Sequence, residues 1–205
     1  MKLSMKYLKV FLITVCSVLI LFFLYLEWGG RFILNIHNKK EVSRYMQVNK
    51  KLPENFITFY NIVYPSSMSQ NSWNFYLKFL IQSHLDLNAC PCHQMGNRMM
   101  PVINIQNKSS LDYFLLIRYI EQNYSPEDCL NFNFSNFDFL NDRKGIEQIS
   151  HDLFNKSAEE LQPVEMAEIL ALYENPKKND RYRNPERTKN RTAHFYNLYL
   201  SNLKK

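Results

Sequence analysis

Acidic side chains are concentrated in one stretch near the C-terminus, residues 151–169, which reads HDLFNKSAEELQPVEMAEI. Its carboxylates are those of Asp152, Glu159, Glu160, Glu165 and Glu168. Carboxylates can act as general acids or bases when they are held within hydrogen-bond reach of a reacting group. The same stretch contains two helix-start patterns, and acids in a first helical turn also stabilise the helix. The rest of the sequence must therefore show whether these carboxylates act in catalysis or only stabilise helices.

A second group of reactive side chains lies in the segment ACPCHQ, which contains Cys90, Cys92 and His93. These residues could bind a metal, but Cys-x-Cys differs from the usual Cys-x-x-Cys clamp and no second ligand pair follows. We therefore predict neither a metal nor another cofactor. Cys129 is the remaining cysteine outside the N-terminal apolar segment, and it can pair with either Cys90 or Cys92 in an oxidising compartment.

The composition excludes several classes of protein. The chain has 205 residues, 46% of them apolar, which is enough for one packed domain with an appendage. It has 4 glycines, and both the G-x-G-x-x-G and the P-loop spacings are absent. This argues against a nucleotide-binding α/β enzyme, and no nucleic-acid partner is expected.

The N-terminus predicts a membrane segment. Residues 10–26, VFLITVCSVLILFFLYL, carry no charge, and three lysines precede them. A helix of this length spans about 25 Å, near the lower limit for a bilayer core of about 30 Å. Lysines before the span predict a cytoplasmic N-terminus at 1–9, a signal-anchor at 10–28 and the bulk of the chain outside the cytoplasmic membrane. A cleaved signal peptide is the alternative.

The positive charge is a C-terminal feature. The net charge is +6, but residues 31–174 contain 13 Lys and Arg against 16 Asp and Glu. Residues 175–205 contain 9 Lys and Arg against 2 Asp and Glu. An anionic lipid or a pyrophosphate-bearing substrate could use this basic segment, and a solvated face is the simpler interpretation.

The remaining sequence predicts helices joined by turns. Residues 29–52 are interpreted as a polar connector, 53–205 as a helical domain and 87–108 as a loop. Trp73, Tyr76, Leu77, Leu80 and His84 follow the spacing of one helical face. Helix starts are expected near Ser109, Ser125, Ser157, Pro163 and Asn184, and the segment PVINIQ is the single candidate strand. Val164, Ala167 and Leu170 are expected to face the core.

Five short segments follow one another in the second half of the chain: YSPEDCL (124–130), GIEQ (145–148), LFNKS (153–157), LQPVEMA (161–167) and NPERTKNR (184–191). Their order resembles the C-terminal half of family 51 glycosyltransferases, the peptidoglycan transglycosylase domains of class A penicillin-binding proteins. The resemblance implies a mainly α, lysozyme-like helical domain with one N-terminal transmembrane helix, and a role in peptidoglycan synthesis.

The first half departs from the family pattern. The position expected to supply the catalytic Glu reads as Tyr64, and the family's Arg-Lys pair reads as Ser109-Ser110. Among acids of the two relevant windows, 54–70 and 109–121, only Glu54, Asp112 and Glu121 are present. We therefore expect no catalytic residue.

Three residues are predicted to contact substrate. The resemblance implies this role for Glu147 and Arg191, and Lys108 directly precedes the position of the family's Arg-Lys pair. The main expectation is a catalytically degenerate domain that binds lipid-linked glycan or cell-wall synthesis proteins. The alternative is an active, divergent glycosyltransferase that polymerises lipid-linked disaccharide.

Overall fold

The computed structural model describes residues 2–47, 51–81, 90–105 and 108–204. It confirms a mainly α fold. The helices are α1 (Lys2–Trp28), α2 (Gly30–Ile33), α3 (Ile36–Gln47), α4 (Glu54–Val63), α5 (Ser72–Ile81), α6 (Pro91–Met99), α7 (Ser110–Asn123), α8 (Pro126–Ser135), α9 (Ile146–Phe154), α10 (Pro163–Glu174) and α11 (Pro185–Leu203). Within the described ranges there is no β-strand, only an isolated bridge between Asp138 and Lys144. The described part of PVINIQ is accordingly not a strand.

Helix α1 is a candidate membrane span. Its segment Tyr7–Trp28 is long and apolar enough to cross a bilayer by length and composition, although a signal sequence passes the same test. The apolar side chains along it are exposed to the surroundings of the protein.

The C-terminal end of α1 packs closely on α7. A Cβ atom at Gly30 would lie 2.2 Å from the carbonyl oxygen of Leu115, so only glycine permits this approach. Glu27 forms an ion pair with Arg118, and the Trp73 indole donates to Glu27 at 2.9 Å. The candidate span is therefore fixed to the helical domain by both close packing and partly buried polar contacts.

The segment interpreted as a connector, 29–52, contains helices α2 and α3. Leu34 and Val42 are buried in one core cluster with Met95 and Leu116. The buried Asn38 amide donates to the carbonyl oxygen of Asn104 at 3.1 Å. These residues pack onto the helical domain.

The prediction of a loop over 87–108 was wrong for residues 91–99, which form α6. Pro91 occupies the start of this helix, and Cys92, Met95 and Met99 form its buried face. A Cβ atom at Gly96 would lie 2.5 Å from the Ile117 side chain, so the glycine permits close packing instead of marking a turn. Cys92 forms a disulfide with Cys129 on α8, which decides between the two pairings that the sequence left open.

A second core cluster joins α4, α8, α9, α10 and α11, and includes Phe56, Phe134, Ile149, Leu170 and Phe195. The helix starts expected at Ser109 and Ser125 have complete capping boxes, and Pro163 and Pro185 begin α10 and α11. The Ser157–Glu160 capping box instead precedes a single 3-10 turn, Ala158–Glu160.

Two expectations about helix faces need correction. Val164 is 47% exposed because it lies on the outer side of α10, whereas Ala167 and Leu170 are buried as predicted. Leu77 is 55% exposed, although Trp73 of the same expected face stacks on Phe23 of α1. The side chain of Leu80 and the whole of His84 lie outside the described residues.

Candidate functional site

The three predicted substrate-contacting residues have separate environments. Glu147, in the first turn of α9, accepts a hydrogen bond from the Ala158 backbone N–H at 3.2 Å and so supports the 3-10 turn. Arg143, near the start of the same helix, pairs with Asp180. Lys108 has a positive φ of 41° and donates to the carbonyl oxygen of Pro101 at 3.1 Å.

Arg191 is the predicted residue that adjoins a cavity. Its guanidinium binds both carboxylate oxygens of Glu174, with Nε 2.5 Å from Oε2 and Nη2 2.6 Å from Oε1. It also lies over the ring of Phe195, 4.7 Å from the centroid. Glu174 lines a polar cavity of about 410 Å³, whereas neither Glu147 nor Lys108 does.

The polar cavity, as we call it from here on, lies where α6, the segment after α8 and the end of α10 meet. Its lining combines planar polar side chains with aromatic rings: Gln94, Asn97, Arg98, Phe137, Asp138, Tyr173, Glu174 and Pro176. A concave site with a few convergent polar groups is the usual form of a small-molecule pocket. Amide, guanidinium and carboxylate groups together can both donate to and accept from sugar hydroxyls.

Arg98 is the positive group of this cavity. Its guanidinium lies over the rings of Phe137 and Tyr173, 4.5 and 4.9 Å from their centroids, and its Nη1 donates to the carbonyl oxygen of Asn133 at 3.1 Å. It forms no ion pair with any residue of the described ranges. These contacts fix its plane and leave other N–H donors for a ligand.

Tyr173 forms the buried wall behind Arg98. Burial raises the pKa of its hydroxyl to about 12, although the nearby Arg98 charge acts in the opposite direction. The hydroxyl therefore stays protonated, and it donates to the Gln94 side-chain oxygen at 2.5 Å. This bond fixes the orientation of the Gln94 amide at the cavity wall.

The loop that carries Asp138 is tightly constrained. Leu140, Asn141 and Asp142 have positive φ values of 70, 56 and 60°, which is unfavourable for residues other than glycine. Arg143 holds this turn because its Nε and Nη2 donate to the carbonyl oxygens of Leu140 and Phe139 at 2.9 and 3.2 Å. The buried ion pair between Arg143 and Asp180, at 2.9 Å, anchors the turn to the segment before α11.

The acids from the two expected catalytic windows have different local environments. Asp112 accepts from the backbone N–H and the hydroxyl of Ser109, both at 2.8 Å, and so caps α7. Glu121 accepts from the backbone N–H and hydroxyl of Ser72 at 2.6 and 2.7 Å and pairs with Arg118 at 2.6 Å. Glu54 is an exposed first-turn acid of α4.

Two residues of these windows, Glu121 and Tyr64, are partly buried in the domain. Burial raises the pKa of Glu121, and its bonds to Ser72 and Arg118 reduce the shift without reversing it. Tyr64, at the position expected for the family's Glu, ends α4 and its ring packs against Tyr60 and Phe195.

Cys90, Cys92 and His93 cannot together bind a metal, because the Cys92 sulfur is in the disulfide with Cys129. His93 is buried against Phe75, with ring centroids 4.2 Å apart, and burial lowers its pKa to about 4. In the part of the chain that the structure describes, no group of three His, Cys, Asp or Glu side chains is arranged to hold a metal ion.

Sequence reasoning missed Arg98, Phe137 and Asp138. The available signal was Pro91 followed by apolar residues at helical spacing, which identifies α6 and places Arg98 in its last turn. The approach of Phe137 and Tyr173 to Arg98 depends on tertiary packing and had no local signal.

Comparison with known proteins gives a family match for one part of this chain. The family model described as Transglycosylase matches residues 106–199, and this confirms the predicted resemblance over that segment. The matched segment is therefore of the lysozyme-like helical type found in transglycosylase domains. No curated protein matches the chain. The matched segment includes Asp138 and Glu174 of the polar cavity but begins after Arg98.

Proposed function

We propose that this chain is a membrane-anchored, transglycosylase-like domain of peptidoglycan synthesis that binds lipid-linked glycan in the polar cavity without polymerising it. The match over residues 106–199 supports a role related to glycosyltransferases. The observation that carries the proposal is the combination, in one cavity, of Arg98 over two aromatic rings with polar side chains suited to sugar hydroxyls.

The loss of polymerisation is supported by the engagement of the acids. Transfer by the family's chemistry requires a carboxylate that removes a proton from the acceptor 4-hydroxyl, and such a base contributes about 10²–10⁴-fold. Asp112 caps α7, and Glu121 is held by Ser72 and Arg118. Moving either carboxylate to a substrate would break bonds that stabilise the fold.

The extracytoplasmic orientation is supported by the disulfide between Cys92 and Cys129, because disulfides persist in oxidising compartments. Lysines before the candidate span favour the same orientation, with the N-terminus in the cytoplasm. On this proposal α1 is the uncleaved anchor in the cytoplasmic membrane, and residues 31–205 face the substrate side.

An active, divergent glycosyltransferase is the second candidate. It is favoured by the presence of two carboxylates, those of Asp138 and Glu174, in the lining of the polar cavity. Glu174 is paired with Arg191, and an Asp138 oxygen accepts from the Leu140 backbone N–H at 2.7 Å. These contacts leave each carboxylate with acceptor capacity but hold it in a structural role.

Binding of purified lipid-linked disaccharide to the full chain in detergent tests the proposal. Arg98→Gln should weaken binding about tenfold or more, since bonds to charged groups contribute roughly 1.5–3 kcal/mol. Arg44→Gln, at an exposed Arg on α3, is the matched control and should leave the affinity unchanged. Equal affinities for the native chain and Arg98→Gln would contradict the proposed site.

A further inference from the structure

A groove at the end of the candidate span is distinct from the polar cavity. It has a volume of about 590 Å³ and is lined by Leu24, Tyr25, Trp28, Arg31 and Phe32. Phe32 is 81% exposed, and Tyr25 and Trp28 are each 43% exposed. Four of the five lining residues are apolar or aromatic, so an uncovered groove of this kind favours an apolar occupant.

If α1 spans the membrane as proposed above, the position of the groove places it against the lipids of the bilayer. The segment Tyr7–Trp28 has 22 residues, which corresponds to about 33 Å of helix against a bilayer core of about 30 Å. Trp28 then lies at the boundary between acyl chains and headgroups, where aromatic residues concentrate. Leu24 and Tyr25 lie within the acyl region, and Arg31 lies at the level of the phosphates.

The groove is cationic at its headgroup end. Arg31 is exposed, and its guanidinium forms no ion pair within the described part of the chain. The Lys39 ammonium donates to the backbone oxygen of Arg31 at 2.8 Å, which brings a second positive charge to the same place. A guanidinium binds phosphate through paired N–H donors, and the added charge favours a net anionic headgroup over a zwitterionic one.

We propose that this groove binds one anionic phospholipid of the surrounding membrane. Its acyl chain lies along Leu24 and Trp28, beside the exposed ring of Phe32, and its phosphate binds Arg31. The assignment rests on the proposed membrane anchoring and is independent of glycan binding in the polar cavity. The lipid would immobilise the junction between α1 and α2, directly beside the close contact of Gly30 with Leu115.

Tryptophan quenching by brominated lipids tests this assignment. The chain has two tryptophans, so Trp73→Phe leaves Trp28 in the groove as the single reporter. The full-length Trp73→Phe chain is placed in phosphatidylcholine nanodiscs that contain a fixed fraction of brominated phosphatidylglycerol or brominated phosphatidylcholine. We expect quenching to correspond to a three- to fivefold preference for phosphatidylglycerol, which is about 1 kcal/mol for one cation near the surface.

The Arg31→Gln, Lys39→Gln double variant should bring this preference to about one, and Phe32→Ser should reduce quenching by both lipids. Arg44→Gln should leave the threefold or greater preference intact. Equal quenching by both lipids in the starting protein would overturn the phospholipid assignment, as would a preference that persists in the Arg31→Gln, Lys39→Gln double variant. Displacement of phosphatidylglycerol by an equimolar polyprenyl diphosphate would assign the groove to the lipid carrier instead. If neither brominated lipid quenches the fluorescence of Trp28, the proposed membrane anchoring itself is refuted.

Discussion

Arg191 on α11 and Glu174 at the end of α10 form a two-point ion pair at the rim of the polar cavity, with N–O distances of 2.5 and 2.6 Å. The pair connects a residue predicted from the sequence to a cavity that the sequence did not predict. It also keeps one of the two cavity carboxylates neutralised, which matters for a ligand that carries phosphate.

Arg191→Gln should weaken binding of lipid-linked disaccharide severalfold, because the unpaired Glu174 carboxylate would repel the ligand's phosphates. Unfolding free energy should fall by about 1 kcal/mol or less, since each side chain of the pair is about a third exposed. Binding and urea unfolding measure the two effects. Lys189→Gln, an exposed change on the same helix, is the control; an equal loss of affinity in that variant would attribute the effect to general charge.

Asp180→Asn should destabilise the fold by about 3–5 kcal/mol, because it leaves the buried Arg143 guanidinium without its counter-charge. The same change should loosen the turn that carries Asp138 and so weaken ligand binding. Thermal or urea unfolding of the detergent-solubilised chain measures the first effect. A variant as stable as the native chain would show that the ion pair does not anchor the turn.

The same pair predicts how stability depends on pH. Burial raises the pKa of Asp180, but the hydrogen bond and charge of Arg143, with backbone N–H donors, outweigh burial and place the pKa below its ordinary value. The stabilisation should therefore be complete above the unfolded-state pKa of about 3.9 and disappear as the pH falls through the lower folded-state value. Asp180→Asn should flatten this acid-side decline, and an unchanged decline would contradict the assignment.

Removal of the Cys92–Cys129 disulfide should lower the unfolding free energy by about 2–4 kcal/mol, as expected for a bridge across 37 residues. The Cys92→Ser, Cys129→Ser double variant and the reduced native chain should behave alike in urea. Cys16→Ser, which changes a cysteine outside the bridge, is the control.

The thiol of Cys90 should react slowly with alkylating agents in the folded protein, because it is buried and burial raises its pKa to about 11.

Gly30→Ala should separate α2 from α7 by overpacking, at a cost of about 1–3 kcal/mol. A Cβ atom there would meet the backbone oxygen of Leu115, which cannot rotate away as a flexible side chain could. Limited proteolysis of residues 29–47 should become faster in this variant. Ile36→Ala, in the same segment but exposed and outside the groove, should leave the proteolysis rate unchanged.

Local signals predicted many of the helices but little of the site. Ser109, Ser125, Pro163 and Pro185 identify helix starts because caps and N-terminal prolines act within one turn. Helix α6 was missed since Gly96 and its polar neighbours resemble a loop, whereas the glycine serves the approach of Ile117, a residue far along the chain. The polar cavity depends in the same way on long-range packing.

The three residues predicted to contact substrate lie in different environments for the same reason. Arg191 adjoins the cavity through Glu174, whereas Glu147 supports a turn and Lys108 bonds to the Pro101 carbonyl oxygen. The order of the motifs predicts where each residue lies along the chain. It does not predict which side chains meet in the folded domain. The cavity also required Arg98, which precedes the segment that matches the transglycosylase family.

The central claim is binding without polymerisation, and a single assay of the full chain with purified lipid-linked disaccharide tests it most directly. Bound ligand and glycan products are measured in the same sample, with Arg98→Gln as the binding-deficient control. The account predicts ligand that is retained by the native chain, lost in Arg98→Gln and recovered unpolymerised. Glycan chains that form with the native protein and disappear in Asp138→Asn would contradict it and would establish the active glycosyltransferase instead.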